Sequence, residues 1–266
     1  MTEQELMLSS ILGCSRFELY AKELNLSQQD KYEFDTLTEC RANGEPLQYL
    51  LRFTEFMGLK FFVDRRVFIP RPETEILVEE VINLIKKIKI SVKNILDIGT
   101  GSGNIAISLA KFLRDVKVTA VDISEQALRL AKENSILNKV DKRVEFFRMD
   151  FLSREPLIDN YQVFDLIVSN PPYINTSDLS CLPKEVRQEP IIALDGGWDG
   201  LKFYRGIIQR IDKFLKKSGL LALEMGFNQS QEIVRLLEQA QKFQIIKIVK
   251  DYTDIERVII AREKKL

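Results

Sequence analysis

The segment FDLIVSNPPYI, Phe164 to Ile174, joins an apolar strand to an amide, two prolines and an aromatic ring. Proline lacks a ladder N–H and fixes φ, so the strand must stop there. The same stiffness holds the backbone still. It makes the Asn170 side-chain oxygen and the Pro171 carbonyl two acceptors that need little further ordering. Such a pair suits a planar NH2 group, with Pro172 shaping the turn and Tyr173 stacking on the flat group and narrowing the slot. A planar nitrogen has a delocalised lone pair and is a poor nucleophile. As it attacks an electrophile its N–H bonds become more positive, so the grip tightens in the transition state. The proton can leave afterwards, and no general base is required. That suits a chain with no histidine, which also excludes a Ser-His-Asp triad and a His-ligated metal.

Three other strand ends carry polar groups of a second kind. LDIGTGSGN places Asp97 before a loop of Gly99, Thr100, Gly101, Ser102 and Gly103. Glycines there allow a tight turn and close approach to a ligand, although close helix–strand packing alone could also require them. The spacing is Gly-x-Gly-x-Gly, not the dinucleotide Gly-x-Gly-x-x-Gly. The Asp97 carboxylate suits a cationic amino group better than a pyrophosphate, which it would repel. Asp122 ends VTAVDIS, where a carboxylate can accept from both ribose hydroxyls or cap the helix starting near Ser124. Asp150 can accept from an adenine amino group and Phe151 can pack on the ring; capping and core packing serve equally for that pair. As a set these strand ends resemble the S-adenosylmethionine site of Rossmann-like methyltransferases, over roughly residues 93 to 262.

Elements that could position these residues follow from periodicity. TEQELMLSSILG, SRFELYAKELN and SQQDKYEFDTLTECRANG each show helical spacing. Phe56, Leu59, Phe61 and Val63 predict a hairpin turning at Gly58, followed by a linker stiffened by Pro70 and Pro72. ETEILVEEVINLIKKIKI predicts a helix whose Lys86, Lys87 and Lys89 form a solvated face. From Lys93 onward strands and helices alternate, and FQIIKIVKD and IERVIIARE predict a terminal antiparallel pair. Alternation implies a mainly parallel sheet with helices on both faces and ligands at the carboxyl ends of the strands. The expected fold is α/β, a Rossmann-like class I methyltransferase sheet with a small helical N-terminal domain. The division falls at residues 1–75 and 76–266.

Composition narrows the classes further. The chain has 266 residues and 39 Lys plus Arg against 39 Asp plus Glu. That balance argues against a non-specific nucleic-acid binder. Cys14, Cys40 and Cys181 form no CxxC pair and suggest a reducing cytosol. The N-terminus lacks the basic start of a signal peptide, no apolar run is long enough to cross a membrane, and no metal site is expected.

The turn itself resembles that of enzymes methylating planar nitrogens: base amines or the side-chain amide of glutamine. Further segments narrow the choice. GEPLQYLLRFTEFMGLKFFVD, VFIPRPETE, LDIGTGSGNIAISLA, VDISEQAL, FDLIVSNPPYI, EPIIALDGGWDGLKFYRGII and LLALEMG follow one another along almost the whole chain. In that order they resemble the protein-(glutamine-N5) methyltransferases that modify peptide chain release factors. Adenine methyltransferases of DNA or RNA share NPPY but not, as a rule, IPRPETE or DGGWDGL. The resemblance implies S-adenosyl-L-methionine as cofactor, with S-adenosyl-L-homocysteine as product. It implies class 1 release factors as partner, through the glutamine of their Gly-Gly-Gln motif. Cofactor contacts carry over to Gly99 through Gly103, Asp122, Phe151 and Asn170, and substrate contacts to Asn170, Pro171, Pro172 and Tyr173. The helical N-terminal part becomes a docking domain. Phe151 stands where a tryptophan is common, Arg52 where a glycine is expected, and Gln188 in place of a phenylalanine. Arg71, Glu73 and Thr74 either line the site or pack the linker. Glu189 and Asp195 are expected to order a loop. An N6-adenine methyltransferase and a non-catalytic cofactor-binding module are the competing readings.

Overall fold

The computed structural model describes residues 2–21, 25–88, 91–153 and 163–264. The chain opens with helices α1 (Glu3–Leu12), α2 (Arg16–Ala21), α3 (Gln28–Ala42) and the short α4 (Leu47–Leu51). Thr2 and Ser27 each close a capping box, accepting from the N3 backbone while the N3 acid accepts in return. The predicted second helix runs into residues 22–24, and Lys89 follows α5; both lie outside the described residues.

Strands β1 (Phe53–Phe56) and β2 (Leu59–Phe62) form the expected hairpin, turning through Met57 and Gly58. Arg52, at the position read as a glycine site, has φ 63° and ends α4 in the left-handed region. A side chain there is strained by roughly 1 kcal/mol. Phe56 and Phe61 are buried in the core beneath the main sheet, beside Leu77 and Val81. The hairpin packs on the sheet, while Tyr49 of α4 clusters with Val63 and Val67 just beyond it. A division at residue 75 would cut the first turn of α5 (Pro72–Ile88).

The remaining elements are β3 (Asn94–Ile98), α6 (Asn104–Phe112), β4 (Lys117–Asp122), α7 (Glu125–Leu137), β5 (Val144–Arg148) and β6 (Phe164–Ser169). They are followed by α8 (Lys202–Arg210), β7 (Leu215–Glu224), α9 (Ser230–Gln239), β8 (Phe243–Lys250) and β9 (Glu256–Glu263). The sheet order is β5-β4-β3-β6-β7-β9-β8. Pairing is parallel from β5 to β7, and β9 runs antiparallel to both of its neighbours. The alternating reading and the terminal antiparallel pair are both found.

Side-chain alternation splits the core into two layers. Ile95, Val118, Leu166, Val168 and Ala222 face α5 and α6. Leu96, Val121, Ile167, Leu221 and Leu223 face α8 and α9. The strand order reverses at β3, whose neighbours β4 and β6 leave in opposite directions, so a crevice opens beyond the carboxyl ends of these strands.

Candidate active site

Register lines up the ends of the strands. Ile98 pairs with Val121 and with Ser169, Asp122 pairs with Arg148, and Ser169 pairs with Leu223. The residues that follow therefore meet at one level: the Gly99 loop, Asp122, Asp150, Asn170 and Glu224. A cavity of about 440 Å³ opens there, within the range of small-molecule sites. Gly99, Thr100, Gly101, Ser102, Asp122, Asp150, Phe151, Asn170, Pro171, Pro172 and Tyr173 all line it.

The glycine loop is hung from β4: Gly99 N and Thr100 N donate to the Val121 carbonyl at 2.8 and 3.0 Å. Gly103 has φ 82°, and a Cβ there would lie 2.8 Å from Ile107 Cδ1 and 3.2 Å from Ala131 Cβ. That glycine lets α6 and α7 close up behind the loop. Gly99 and Gly101 differ, because a Cβ on either would meet nothing within 4 Å. They form a cradle that side chains would fill.

Asp122 accepts from Gly101 N at 2.9 Å on one carboxylate oxygen and from Ser124 N at 2.8 Å on the other. Ser124 itself caps α7, its hydroxyl accepting from Ala127 N, so Asp122 is not the cap. Each carboxylate oxygen can accept a further hydrogen bond, and Asp122 lines the cavity. Burial raises the Asp122 pKa, and the backbone donors oppose the rise. Asp150 is exposed at the rim and accepts from Leu152 N at 2.9 Å. Phe151 packs against Phe214, ring centroids 5.3 Å apart, and walls the cavity beside it.

Asp97 is placed differently from the sequence expectation. Alternation puts it on the same face as Ile95, toward α6, and it does not line the cavity. It is completely buried, accepts from Thr100 Oγ1 at 2.6 Å and leaves Oδ1 unpartnered. Burial pushes its pKa up to about 7. It anchors the glycine loop from below through Thr100.

The NPPY turn follows the same alternation. Asn170 shares a face with Val168, and Glu224 with Ala222, so both point toward α5. Thr74, in the first turn of α5, meets them: Asn170 Nδ2 donates to Thr74 Oγ1 at 3.0 Å. Among the described residues no hydrogen bond reaches Asn170 Oδ1 or the Pro171 carbonyl, and no peptide bond is cis. Glu224 is buried, and its pKa is pushed up to about 7 by desolvation. The Thr74 and Asn170 side chains lower it, as does Arg257; Glu73 raises it. The Glu224 Oε2 atom has no partner of good geometry. In the sequence Glu224 stood only as part of a strand; a charged residue inside LLALEMG was the available signal.

Tyr173 is clamped from the far side. Gln229 Nε2 donates to the Tyr173 carbonyl at 2.9 Å. A Cβ on Gly196 would lie 2.7 Å from Tyr173 Cα, and one on Gly226 would lie 2.8 Å from Tyr173 Cδ2. A Cβ on Gly200 would strike the Tyr173 carbonyl oxygen. The DGGWDG segment thus exists to let the turn sit close. Burial pushes the Tyr173 phenol up, so it stays neutral.

The long loop is ordered as expected. Asp195 accepts from Thr176 Oγ1 at 2.6 Å and Gly197 N at 2.9 Å. Glu189 accepts from Ile69 N at 2.9 Å and pairs with Arg71, tying the IPRPETE linker to the loop. Gln188 accepts from Arg65 at 3.0 Å. A smaller cavity of about 300 Å³ abuts the first at Tyr173, bordered by Arg71, Glu73 and Glu224, with Pro46 and Gln48 from the helical unit.

Comparison with known proteins agrees with this geometry. Residues 73–185 match the methyltransferase small domain, and residues 2–51 match the PrmC N-terminal domain. The chain is 40% identical to the release factor glutamine methyltransferase of Fusobacterium nucleatum over 266 residues, covering 99% of this chain and 73% of that one. It is 37% identical to the enzyme of that name from Thermodesulfovibrio yellowstonii, covering 99% and 92%. Among solved structures, a methyltransferase from Pyrococcus furiosus shares the fold, with TM-score 0.55, 16% identity and coverage of 90% and 100%. On these matches the chain belongs to the release factor glutamine methyltransferase family.

Proposed function

We propose that this chain transfers a methyl group from S-adenosyl-L-methionine to the side-chain amide nitrogen of the glutamine in the Gly-Gly-Gln motif of class 1 release factors. One observation carries the reading: Asn170 spends its Nδ2 on Thr74, and among the described residues its Oδ1 and the Pro171 carbonyl, both on residues lining the cavity, take no other hydrogen bond. The open cradle at Gly99 and Gly101, with the acceptor pair of Asp122 beside it, fits S-adenosylmethionine. When bound, this cofactor supplies an electrophilic methyl on a sulfonium.

Every other part of the reaction falls to side chains of this chain. Asp122 accepts from the ribose hydroxyls, Phe151 covers one face of the adenine, and Asp150 accepts from its amino group. Asn170 Oδ1 and the Pro171 carbonyl each accept one N–H of the glutamine amide and turn its lone pair toward the methyl. Their attraction grows as the nitrogen becomes positive, so the stabilisation is greater in the transition state than in the ground state. Pro172 and the clamp on Tyr173 hold both acceptors still, and the ring stacks on the amide plane. The proton leaves to solvent after transfer. The smaller cavity, bordered by both the linker and the helical unit, adjoins the peptide flanking the glutamine. The helical unit docks the rest of the release factor.

The test is to incubate the protein with methyl-labelled cofactor and either a release factor or nucleic acid, then map the label. One methyl on the Gly-Gly-Gln peptide is expected. Label on adenine instead would replace this reading with base methylation, and cofactor binding without transfer would replace it with a scaffolding role.

A further inference from the structure

Two buried polar groups, Thr74 and Glu224, converge on the half-buried Asn170 behind the NPPY turn, and no motif predicts all three. Thr74 and Asn170 lie 96 residues apart and share a 3.0 Å hydrogen bond. Glu224 reaches the same point from β7, at the level of Asn170 on β6. Thr74 is 1% exposed and Glu224 2% exposed. Burial of this kind is expensive for a carboxylate and a hydroxyl unless their hydrogen bonds are fixed.

The direction of the chain of bonds matters, because an amide is nearly symmetric in shape. A threonine hydroxyl both donates and accepts, so by itself it would tolerate Asn170 either way round. Above about pH 7, where Glu224 is ionised, its carboxylate only accepts. With an ionised Glu224 as the terminus, the Thr74 hydroxyl is drawn toward Glu224, and Thr74 is left to accept from Asn170 Nδ2. That sends Asn170 Oδ1 toward the cavity. Flipping the amide would turn an NH2 group toward the substrate NH2, donor against donor, and the grip would be lost. Arg257 from β9, Glu73 from α5, Tyr173 from the turn and Tyr204 from α8 are the other charged or titratable groups coupled to Glu224.

We infer that Thr74 and Glu224 are positioning residues that fix the orientation of the Asn170 amide, so that its oxygen faces the methyl acceptor. Neither touches the reacting atoms; both act through Asn170. The inference rests on the acceptor role of Asn170 proposed above.

The experiment uses the full chain and two readouts. The first is hydrogen exchange of the Asn170 side-chain amide by NMR, identified by its loss in Asn170→Ala, which needs no substrate. The second is kcat and KM for a Gly-Gly-Gln peptide, with the cofactor Kd by calorimetry. Thr74→Val removes the hydroxyl at nearly constant shape. It is expected to speed Asn170 amide exchange at least tenfold and to lower kcat roughly 10- to 100-fold, with the cofactor Kd unchanged within twofold. Thr74→Ser should restore both exchange and kcat to within about threefold of the parent. A purely packing role would predict the reverse, with poor rescue by serine and slow exchange retained in valine. Glu224→Gln serves as the second variant if Thr74→Val does not fold. It should speed the exchange and lower kcat about tenfold, because a terminal amide no longer dictates the direction. Parent-like exchange and parent-like kcat in either folded variant would overturn the inference. Failure of the parent itself to methylate the peptide would count against the proposed function instead, and the exchange result would stand apart from it.

Discussion

Replacing Glu224 by glutamine should make the protein more resistant to unfolding at alkaline pH and leave it nearly unchanged in acid. Glutamine has the shape of a protonated glutamate but no ionisable proton. Desolvation pushes Glu224 from its ordinary 4.5 up to about 7 in the folded chain. The folded state therefore holds the proton more tightly than the unfolded state does. The favourable contribution is fully present below about pH 4.5 and is lost as pH rises through about 7. The difference of about 2.5 units, at 1.36 kcal/mol each, amounts to about 3 kcal/mol by pH 8.5. In a protein of this size that corresponds to a Tm difference of roughly 6–12 °C. Asp97, also pushed up to about 7, adds a similar slope to the parent, so the informative quantity is the difference between variant and parent. Urea unfolding of both at pH 5, 6, 7, 8 and 8.5 measures it. A gap that opens between about pH 5 and 7 and levels off above about pH 8 is expected. A gap that stays constant with pH would mean that Glu224 ionises as freely in the fold as in water, and the account of its burial would fail.

Four further outcomes follow from the geometry. Asn170→Ala should lower turnover about 10²- to 10³-fold while the cofactor Kd moves less than threefold, read by label transfer and calorimetry. Asp122→Ala should weaken cofactor binding about 10- to 100-fold and lower stability as well, since Gly101 N and Ser124 N lose their acceptor; an unchanged Kd removes its ribose role. Gly103→Ala should destabilise by about 2–4 kcal/mol, through contact with Ile107 and Ala131 and through its positive φ, as seen in denaturant unfolding. Arg52→Gly should raise stability by about 0.5–1 kcal/mol, because φ 63° suits glycine; a loss would show that the arginine side chain contributes more than its strain.

Local pattern made much of this fold legible. Each strand and helix after Lys93 announces itself by period, and Gly58 marks the hairpin turn. The five-residue α4 does not, because one turn of helix is too short to show a period. The packing of Phe56 and Phe61 under the main sheet is likewise tertiary and has no local mark. Within the site, the glycine loop, Asp122 and the NPPY turn are contiguous motifs and could be named directly. The burial of Asp97 behind the loop is not written in its motif, because strand alternation turns it toward α6. Counting parity from Ile95 would have revealed it. Thr74 and Gln229 hold the turn across long sequence separations with Glu224 at the same level, and only the register of β6 against β7 and the docking of α5 bring them together.

The crowding of Gly196, Gly200 and Gly226 against Tyr173 has a bearing on protein engineering. The four residues of the turn are not a portable cassette. Grafted into another methyltransferase scaffold, they would arrive without the bare backbone against which the ring is seated, and a single methyl group at any of three sites would push the tyrosine out of place. A transplant must carry the 195–200 loop and the segment after β7 along with it, so three stretches well separated in the chain behave as one inheritable part.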